Sequence, residues 1–174
     1  MCTPDEIMKY HCPRWDELPQ IDLYMDQVLS VLEGYLSIFA YEDSKIITST
    51  MVNNYVKHKI IRPPVNKKYN RHHISFLYII CILKRLMGLN EIYNTKSKMK
   101  EQFPVDKAYD LFCDIFEDSI KATFDLSYES NKGKSDIKEI IIIEAVTMSF
   151  ANILYARYLV STIAEPKLIS KKIK

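Results

Sequence analysis

Glycine is the residue that most constrains the fold of this chain, because the 174 residues contain only Gly34, Gly88 and Gly133. The phosphate-cradling loops of P-loop and dinucleotide-binding proteins need several glycines where the backbone approaches the ligand. Both classes are therefore excluded. Between the few turn clusters lie long stretches with apolar residues at three- and four-residue spacing, which is typical of amphipathic helices. The sequence predicts an all-α fold.

The apolar spacing also predicts where the helices lie. We expect helices at about 22–39, 50–58, 71–87, 104–128 and 136–161, with a further short helix after Asn90. The stretch 74–83 is apolar nearly all round, which is typical of a helix buried on most sides. We therefore place it at the centre of the fold. Gly88 fits the position just after a helix end, where glycine is favoured.

Charge is distributed unevenly along the chain. The window from Ser44 to Asn90 contains nine Lys/Arg residues, three of the four histidines, and no Asp or Glu. All 22 acidic residues lie outside it, so the net charge of +2 hides a basic middle. Ordinary surfaces mix both signs, whereas a basic region without acids is typical of proteins that bind a polyanion. The alternative interpretation is a solvated surface without a ligand.

The basic window contains the residue types that recognise duplex DNA. A recognition helix needs exposed amides and cations, because Asn pairs bidentately with adenine and Lys reaches guanine or phosphate. In the helix predicted at 50–58 the candidates are Asn53, Asn54, Lys57 and His58. In the basic loop 62–71 the candidate phosphate contacts are Arg62, Lys67, Lys68, the hydroxyl of Tyr69, and Arg71. The simpler alternative is that the two asparagines only cap or solvate a surface helix.

Several linked blocks of sequence resemble a known family. They are RWDELP at 14–19, IDLYMDQV at 21–28, TMVNNYVK at 50–57, and a double proline at 63–64 followed by KKY at 67–69. Together they resemble the YkrK-like family of bacterial transcriptional regulators, which carry a domain of unknown function. The order of short helix, basic loop and helix is also similar to the DNA-binding part of MerR-type regulators. The resemblance implies a MerR-like helix-turn-helix, with room for a small wing, in an all-α protein.

We therefore expect a cytoplasmic DNA-binding transcriptional regulator. Residues 1–100 would form the helix-turn-helix region, including an N-terminal helix, and 101–174 a C-terminal helical region for dimerisation or effector binding. The cytoplasm is expected because 1–15 lack the apolar core of a signal peptide and the cysteines form no C-x-x-C pair. The partners would be double-stranded DNA, a second copy of the chain in a homodimer, and an effector of unspecified chemistry.

The apolar segment 140–163 is long enough to be mistaken for a membrane span, which needs about 20 apolar residues. Glu144, Asn152 and Arg157 interrupt it, and a charge at the centre of a spanning helix costs about 2.5–3.5 kcal/mol on insertion scales. We expect this helix to pack partly in its own domain and partly against another subunit. No membrane partner is predicted.

Other kinds of site find less support. His72 and His73 have no Cys, Asp or Glu three or four residues further on, so we predict no metal site and no cofactor. No Ser or Cys is matched with a His in a catalytic arrangement, and we expect no enzyme activity. One alternative is an interaction module that docks an acidic partner through the 44–90 surface. Another is a small-molecule sensor with a pocket among Tyr109, Phe112, Phe116, Phe150 and Tyr155.

Overall fold

The computed structural model describes residues 3–40 and 45–163. Within those ranges the chain forms seven α-helices and no β-strand, which confirms the predicted all-α fold. The helices are α1 (Pro4–Met8), α2 (Met25–Leu36), α3 (Ser49–Lys57), α4 (Arg71–Leu83), α5 (Leu89–Gln102), α6 (Val105–Phe124) and α7 (Lys138–Thr162). Short 3-10 turns occupy Trp15–Glu17 and Ser37–Phe39. The end of the predicted C-terminal region, 164–174, lies outside the described residues.

The predicted bounds differ most from the structure around Gly88. Helix α4 ends at Leu83, four residues before the predicted end at 87. Gly88 has a φ of −68° and precedes α5 as its N-cap, so its predicted role after the end of α4 is wrong. Helix α5 extends over 14 residues where only a short helix was expected. Its two buried residues, Ile92 and Met99, lie two turns apart among polar side chains, which makes a weak apolar pattern.

Helix α4 lies at the centre of the core, as its apolar sequence predicts. It packs against α2, α5, α6 and α7. Tyr78, in the middle of α4, is fully buried, and its hydroxyl lies 2.6 Å from the hydroxyl of Tyr10 and 3.0 Å from Cys12 Sγ. These partners satisfy a polar group that would otherwise be costly to bury. Residues from both sides of position 100 contribute to one core cluster.

A segment before α2 is tied to α6 by carboxylates. We call residues 10–17 the latch segment. Glu117 Oε1 accepts hydrogen bonds from the Cys12 amide and from Arg14 Nη1, both at 2.8 Å. Arg14 Nη2 donates to Asp114 at 2.9 Å. Because α6 lies entirely in the predicted C-terminal region, these bonds join the two predicted regions of the chain.

Helix α7 is apolar on two sides. One side packs chiefly on α6 and buries Ile140, Ile143, Thr147, Phe150, Ala151 and Leu154. The other side is exposed and carries Ile141, Ile142, Ile153, Leu159 and Val160. At about 100° per residue, the exposed set falls within an arc of about 120°. By length and composition alone, α7 could cross a membrane, and 39% of its most apolar window is buried inside the protein.

Candidate nucleic-acid interface

Helix α3 has well-defined ends. At its start, the Thr48 hydroxyl accepts a hydrogen bond from the backbone amide three residues on, at 3.2 Å, which satisfies one free amide of the first turn. At its end, Lys59 has a φ of 59°. The amides of Lys59 and Ile60 donate to the carbonyls of Val56 and Tyr55 at 3.0 and 2.9 Å. These two bonds form a Schellman motif, which stops the helix after about two and a half turns.

The buried and exposed sides of α3 are cleanly divided. Val52 and Tyr55 are buried and fix the helix to the core. The opposite side exposes the predicted base-contacting residues, which are Asn53, Asn54, Lys57 and His58. Their positions along the helix span an arc of about 140°. The four side chains therefore form one continuous exposed surface on α3.

The basic loop after α3 contains a two-residue turn. Asn66 and Lys67 have φ values of 51° and 63°. The residues flanking them, Val65 and Lys68, exchange both backbone hydrogen bonds at 3.1 and 2.9 Å. Two left-handed residues between a bonded pair are typical of a type I′ hairpin turn. The predicted small wing is thus reduced to this single turn, which we call the 65–68 turn.

The predicted phosphate contacts of the loop differ in exposure. Arg62 and Lys67 are exposed, and Lys67 lies at the tip of the 65–68 turn. Lys68 is half-buried, with Nζ 5.0 Å from the centre of the Tyr24 ring. Arg71 is also half-buried and has partners of its own in the latch segment. Its guanidinium lies 5.5 Å from the ring centre of Trp15, and Nη1 lies 3.6 Å from a carboxylate oxygen of Asp16.

Tyr69 departs from its predicted role. Only 3% of the residue is exposed, and its ring packs edge-on against His73 at 5.4 Å between ring centres. Its amide and carbonyl pair with the carbonyl and amide of Leu23 at 2.8 and 2.9 Å. Tyr69 therefore anchors the basic loop to the segment before α2, and its predicted phosphate contact is wrong because the residue is buried.

Two cations of the acid-free window are held inside the fold. Lys84 Nζ donates to the Ile46 carbonyl at 3.0 Å, and burial lowers the pKa of Lys84. Both terminal nitrogens of Arg85 donate to the Phe39 carbonyl at 3.3 Å. Lys84 thus binds the segment just before α3, and Arg85 binds the segment just after α2. Both side chains contribute to packing. The exposed positive charge of the window lies ahead of α4.

The histidine pair also has a structural setting. His72 is exposed and its ring centre lies 5.0 Å from that of Trp15. His73 is buried, and its Nδ1 lies 3.1 Å from the Asn70 amide and 2.7 Å from Asn70 Oδ1. Its Nε2 is buried and has no hydrogen-bond partner among the described residues. Those residues also contain no group of three or more His, Cys, Asp or Glu able to hold a metal ion.

A cavity of about 230 Å³ lies between α4, α5 and α6. Of the aromatic residues predicted for a sensor pocket, Tyr109 and Phe112 line it. Phe116 and Phe150 instead pack against each other in the core, 5.4 Å between ring centres. The lining residues of α5 were not predicted from the sequence, because that helix was expected to be short. The spacing of its apolar residues was the available signal.

The fold and the exposed surface define an all-α protein that presents an amide- and lysine-bearing helix near a basic turn. A family described as Domain of unknown function (DUF1836) matches residues 13–112, more than half of the chain, and the chain belongs to this family. The matched stretch starts in the latch segment, contains α2 to α5 and ends within α6. No curated protein matches the chain, and no solved structure does either.

Proposed function

We propose that this protein is a cytoplasmic transcriptional regulator that binds duplex DNA through α3 and the basic loop behind it. The observation that carries the proposal is the exposed surface of α3, where Asn53, Asn54, Lys57 and His58 share one side of a short helix. Amides and cations at neighbouring positions are the groups that read base edges in the major groove. No Asp or Glu occurs between Ser44 and Asn90 to oppose an approaching phosphate backbone.

The arrangement supports the resemblance to YkrK-like and MerR-like regulators in one respect and differs in another. Helix α2 packs against α3, which is the role of the supporting helix in a helix-turn-helix. The connection between them covers 37–48, whereas the standard turn has about three or four residues. Helix α4 is buried on most sides, so it is unsuited to recognition. Among these three helices, α3 is the one proposed to enter the groove.

The loop cations would hold the DNA backbone beside that groove. Arg62 and Lys67 are exposed and have no carboxylate within ion-pair distance in the described part of the chain. Arg71 would have to exchange its contact with Asp16 for a phosphate. If a dimer neutralises about six to eight phosphates, the logarithm of affinity should fall with the logarithm of salt concentration at a slope of about −5 to −7.

A homodimer is part of the proposal, and α7 supplies its surface. Two half-sites lie about 34 Å apart on one face of DNA, so two recognition helices are needed to read them together. The exposed apolar side of α7 also carries the small residues Ala145, Ser149 and Ala156, which allow close approach of a second helix. Light scattering at micromolar concentration should give twice the monomer mass. A strictly monomeric mass would contradict the dimer.

Selection of fragmented genomic DNA on the purified protein tests the central proposal. We expect a defined sequence to be enriched. Asn53→Ala should lose about 1–3 kcal/mol of discrimination between that sequence and random DNA. Lys67→Ala should weaken binding to every sequence alike and flatten the salt slope by about one unit. Lys132→Ala, an exposed cation in the loop before α7, serves as the matched control and should leave both properties unchanged.

Enrichment of no sequence would refute the regulator. If the protein then bound an acidic protein with an affinity that Lys67→Ala reduces, the alternative of an interaction module would replace it. Equal losses for Lys67→Ala and Lys132→Ala would show that binding follows net charge alone, which also contradicts a site formed by the loop.

A further inference from the structure

The cavity between α4, α5 and α6 has apolar walls and a basic rim. Its walls include Phe76 and Ile79 from α4, Ile92 and Met99 from α5, and Val105 and Phe112 from α6. Its polar lining combines cations and imidazoles with neutral groups: Arg62, Lys96, Lys100, His72 and His73, then Asn70, Ser75, Thr95 and Tyr109. No Asp or Glu lines it. The surface is therefore amphipathic, with one sign of charge.

Lys96 is a rim cation that is in direct contact with the cavity wall. Its Nζ lies 3.6 Å from the centre of the Phe76 ring, on the cavity wall. Burial lowers the pKa of Lys96 to about 8, and the nearby charges of Lys100 and Arg62 act in the same direction. Within the described part of the chain, no carboxylate lies within ion-pair distance of Lys96, Lys100 or Arg62. A half-buried ammonium next to two other cations, without a counter-charge, is costly unless an anion joins it.

His73 supplies an independent observation at the same cavity. The residue is 8% exposed and lines the cavity, and its Nε2 is a buried polar atom without a hydrogen-bond partner among the described residues. Burial lowers the pKa of His73; the carbonyls of Pro63 and Arg62 act in the opposite direction, but neither makes a hydrogen bond to Nε2. Buried polar atoms are nearly always paired, so an unpaired one at a cavity wall indicates a missing partner.

We propose that this cavity binds a small amphiphilic anion, with the apolar body between α4, α5 and α6 and a carboxylate at the rim beside Lys96 and His73. The volume suits such a ligand. An apolar cavity of about 150 Å³ holds benzene, so one of about 230 Å³ accommodates roughly nine heavy atoms. Carboxylate oxygens would accept hydrogen bonds from the Lys96 ammonium and from the Nε2–H of a neutral His73, whose Nδ1 accepts from the Asn70 amide. The cavity shares Arg62 with the proposed phosphate contacts but none of the base-contacting residues of α3, so a failure to bind octanoate would leave the proposed DNA binding untouched.

Calorimetric titration with octanoate tests the proposal, with two comparison ligands. 1-Octanol carries the same chain without the charge, and acetate carries the charge without the chain. We expect saturable binding of octanoate, at least tenfold weaker binding of 1-octanol, and no detectable binding of acetate. Backbone amide shifts on saturation should concentrate in α4, α5 and the first half of α6.

Two lysine variants test whether Lys96 is the cation that binds the carboxylate. Lys96→Met removes the ammonium but keeps a long apolar side chain, and it should weaken octanoate about tenfold while leaving 1-octanol unchanged. Unchanged 1-octanol binding shows that the cavity is intact in that variant. Lys98→Met is the matched control, because Lys98 lies on the same helix, is exposed and pairs with Glu101 at 3.0 Å. It should have no effect on either ligand.

Three results would overturn the inference. The first is the absence of saturable octanoate binding to the wild-type protein. The second is equal affinity for octanoate and 1-octanol, which would make the site purely apolar. The third is an equal loss of octanoate affinity in Lys96→Met and Lys98→Met, which would assign the effect to overall charge.

Discussion

Removing the Glu117 carboxylate should destabilise the whole protein. The side chain is only 13% exposed and receives two hydrogen bonds of 2.8 Å, from the Cys12 amide and from the Arg14 guanidinium. In Glu117→Ala both donors lose their acceptor. Arg14 keeps its bonds to Asp114 and to the Cys12 carbonyl, so part of its interaction survives.

The magnitude follows from these contacts. Breaking a buried ion pair on one side costs about 3–5 kcal/mol. Because Arg14 retains Asp114 and is itself 26% exposed, we take the lower end, about 3 kcal/mol. For a chain of this size that corresponds to a fall in Tm of roughly 6–12 °C. Glu117→Gln keeps an acceptor oxygen and removes only the charge, so its cost should be smaller, about 1–2 kcal/mol.

Urea unfolding followed by circular dichroism measures the free-energy cost of each of the two substitutions. Repeating it over a range of pH separates the effect of the carboxylate charge from that of packing. Burial acts to raise the pKa of Glu117, but the bonds from Arg14 and Cys12 outweigh it and the pKa is lowered. A carboxyl whose pKa is lower in the folded state stabilises the protein above the unfolded pKa, about 4.3. That stabilisation is lost as the pH falls through the folded pKa. The gap between wild type and Glu117→Gln should therefore be constant near neutrality and close in acid.

Glu101→Ala is the control for this experiment. Glu101 and its partner Lys98 are each about 60% exposed, and exposed pairs contribute less than about 1 kcal/mol. A cost for Glu117→Ala no larger than that of Glu101→Ala would refute the account of the latch segment. A gap that persists unchanged at pH 3 would instead show that the carboxylate charge is not what stabilises it.

Three further changes have expected outcomes in urea unfolding. Lys59→Gly should raise the free energy of unfolding by about 0.5–1 kcal/mol, because the residue ends α3 in a left-handed conformation; a loss would contradict the Schellman end. Thr48→Ala should cost about 1 kcal/mol by removing the α3 cap, and no change would show that the cap contributes nothing. Lys96→Met should stabilise the protein at pH 7 by about 1 kcal/mol after allowance for solvent screening. Since the folded pKa is about 8 and the ordinary one is 10.5, this gain should shrink as the pH rises from 8 to 10.5, and a pH-independent gain would contradict its electrostatic origin.

The parts of the fold that follow from local pattern were predicted from the sequence. Helix α4 was expected because its apolar run is continuous, and Asn70 caps it with a hydrogen bond from the His73 amide at 3.3 Å. Helix α3 was expected from the spacing of its apolar residues, and the Thr48 cap lies directly before it. In each case the interactions that fix the helix lie within a few residues of one another, and there spacing and side-chain chemistry are sufficient to predict it.

The parts that depend on distant partners could not be predicted. The bond from Arg14 to Glu117 joins residues 103 positions apart, and nothing near either residue marks it. Tyr69 was expected to reach phosphate because it follows two lysines, but pairing with Leu23 places it inside. Lys84 was likewise counted with the exposed charge of the basic window, because its neighbours in the sequence do not reveal that it binds the distant Ile46 carbonyl. Charge in a sequence does not show whether a cation faces solvent or a buried carbonyl.

The contacts of the latch segment with α6 limit where this chain can be truncated. A fragment trimmed to the family boundary at residue 112 would sever α6 midway and discard Glu117, leaving Arg14 without its innermost acceptor. It would also strip α7 from α4 and α5, whose apolar flanks would then face water. The smallest piece expected to fold alone thus extends well past the matched stretch, at least to Leu154, the last buried residue of α7.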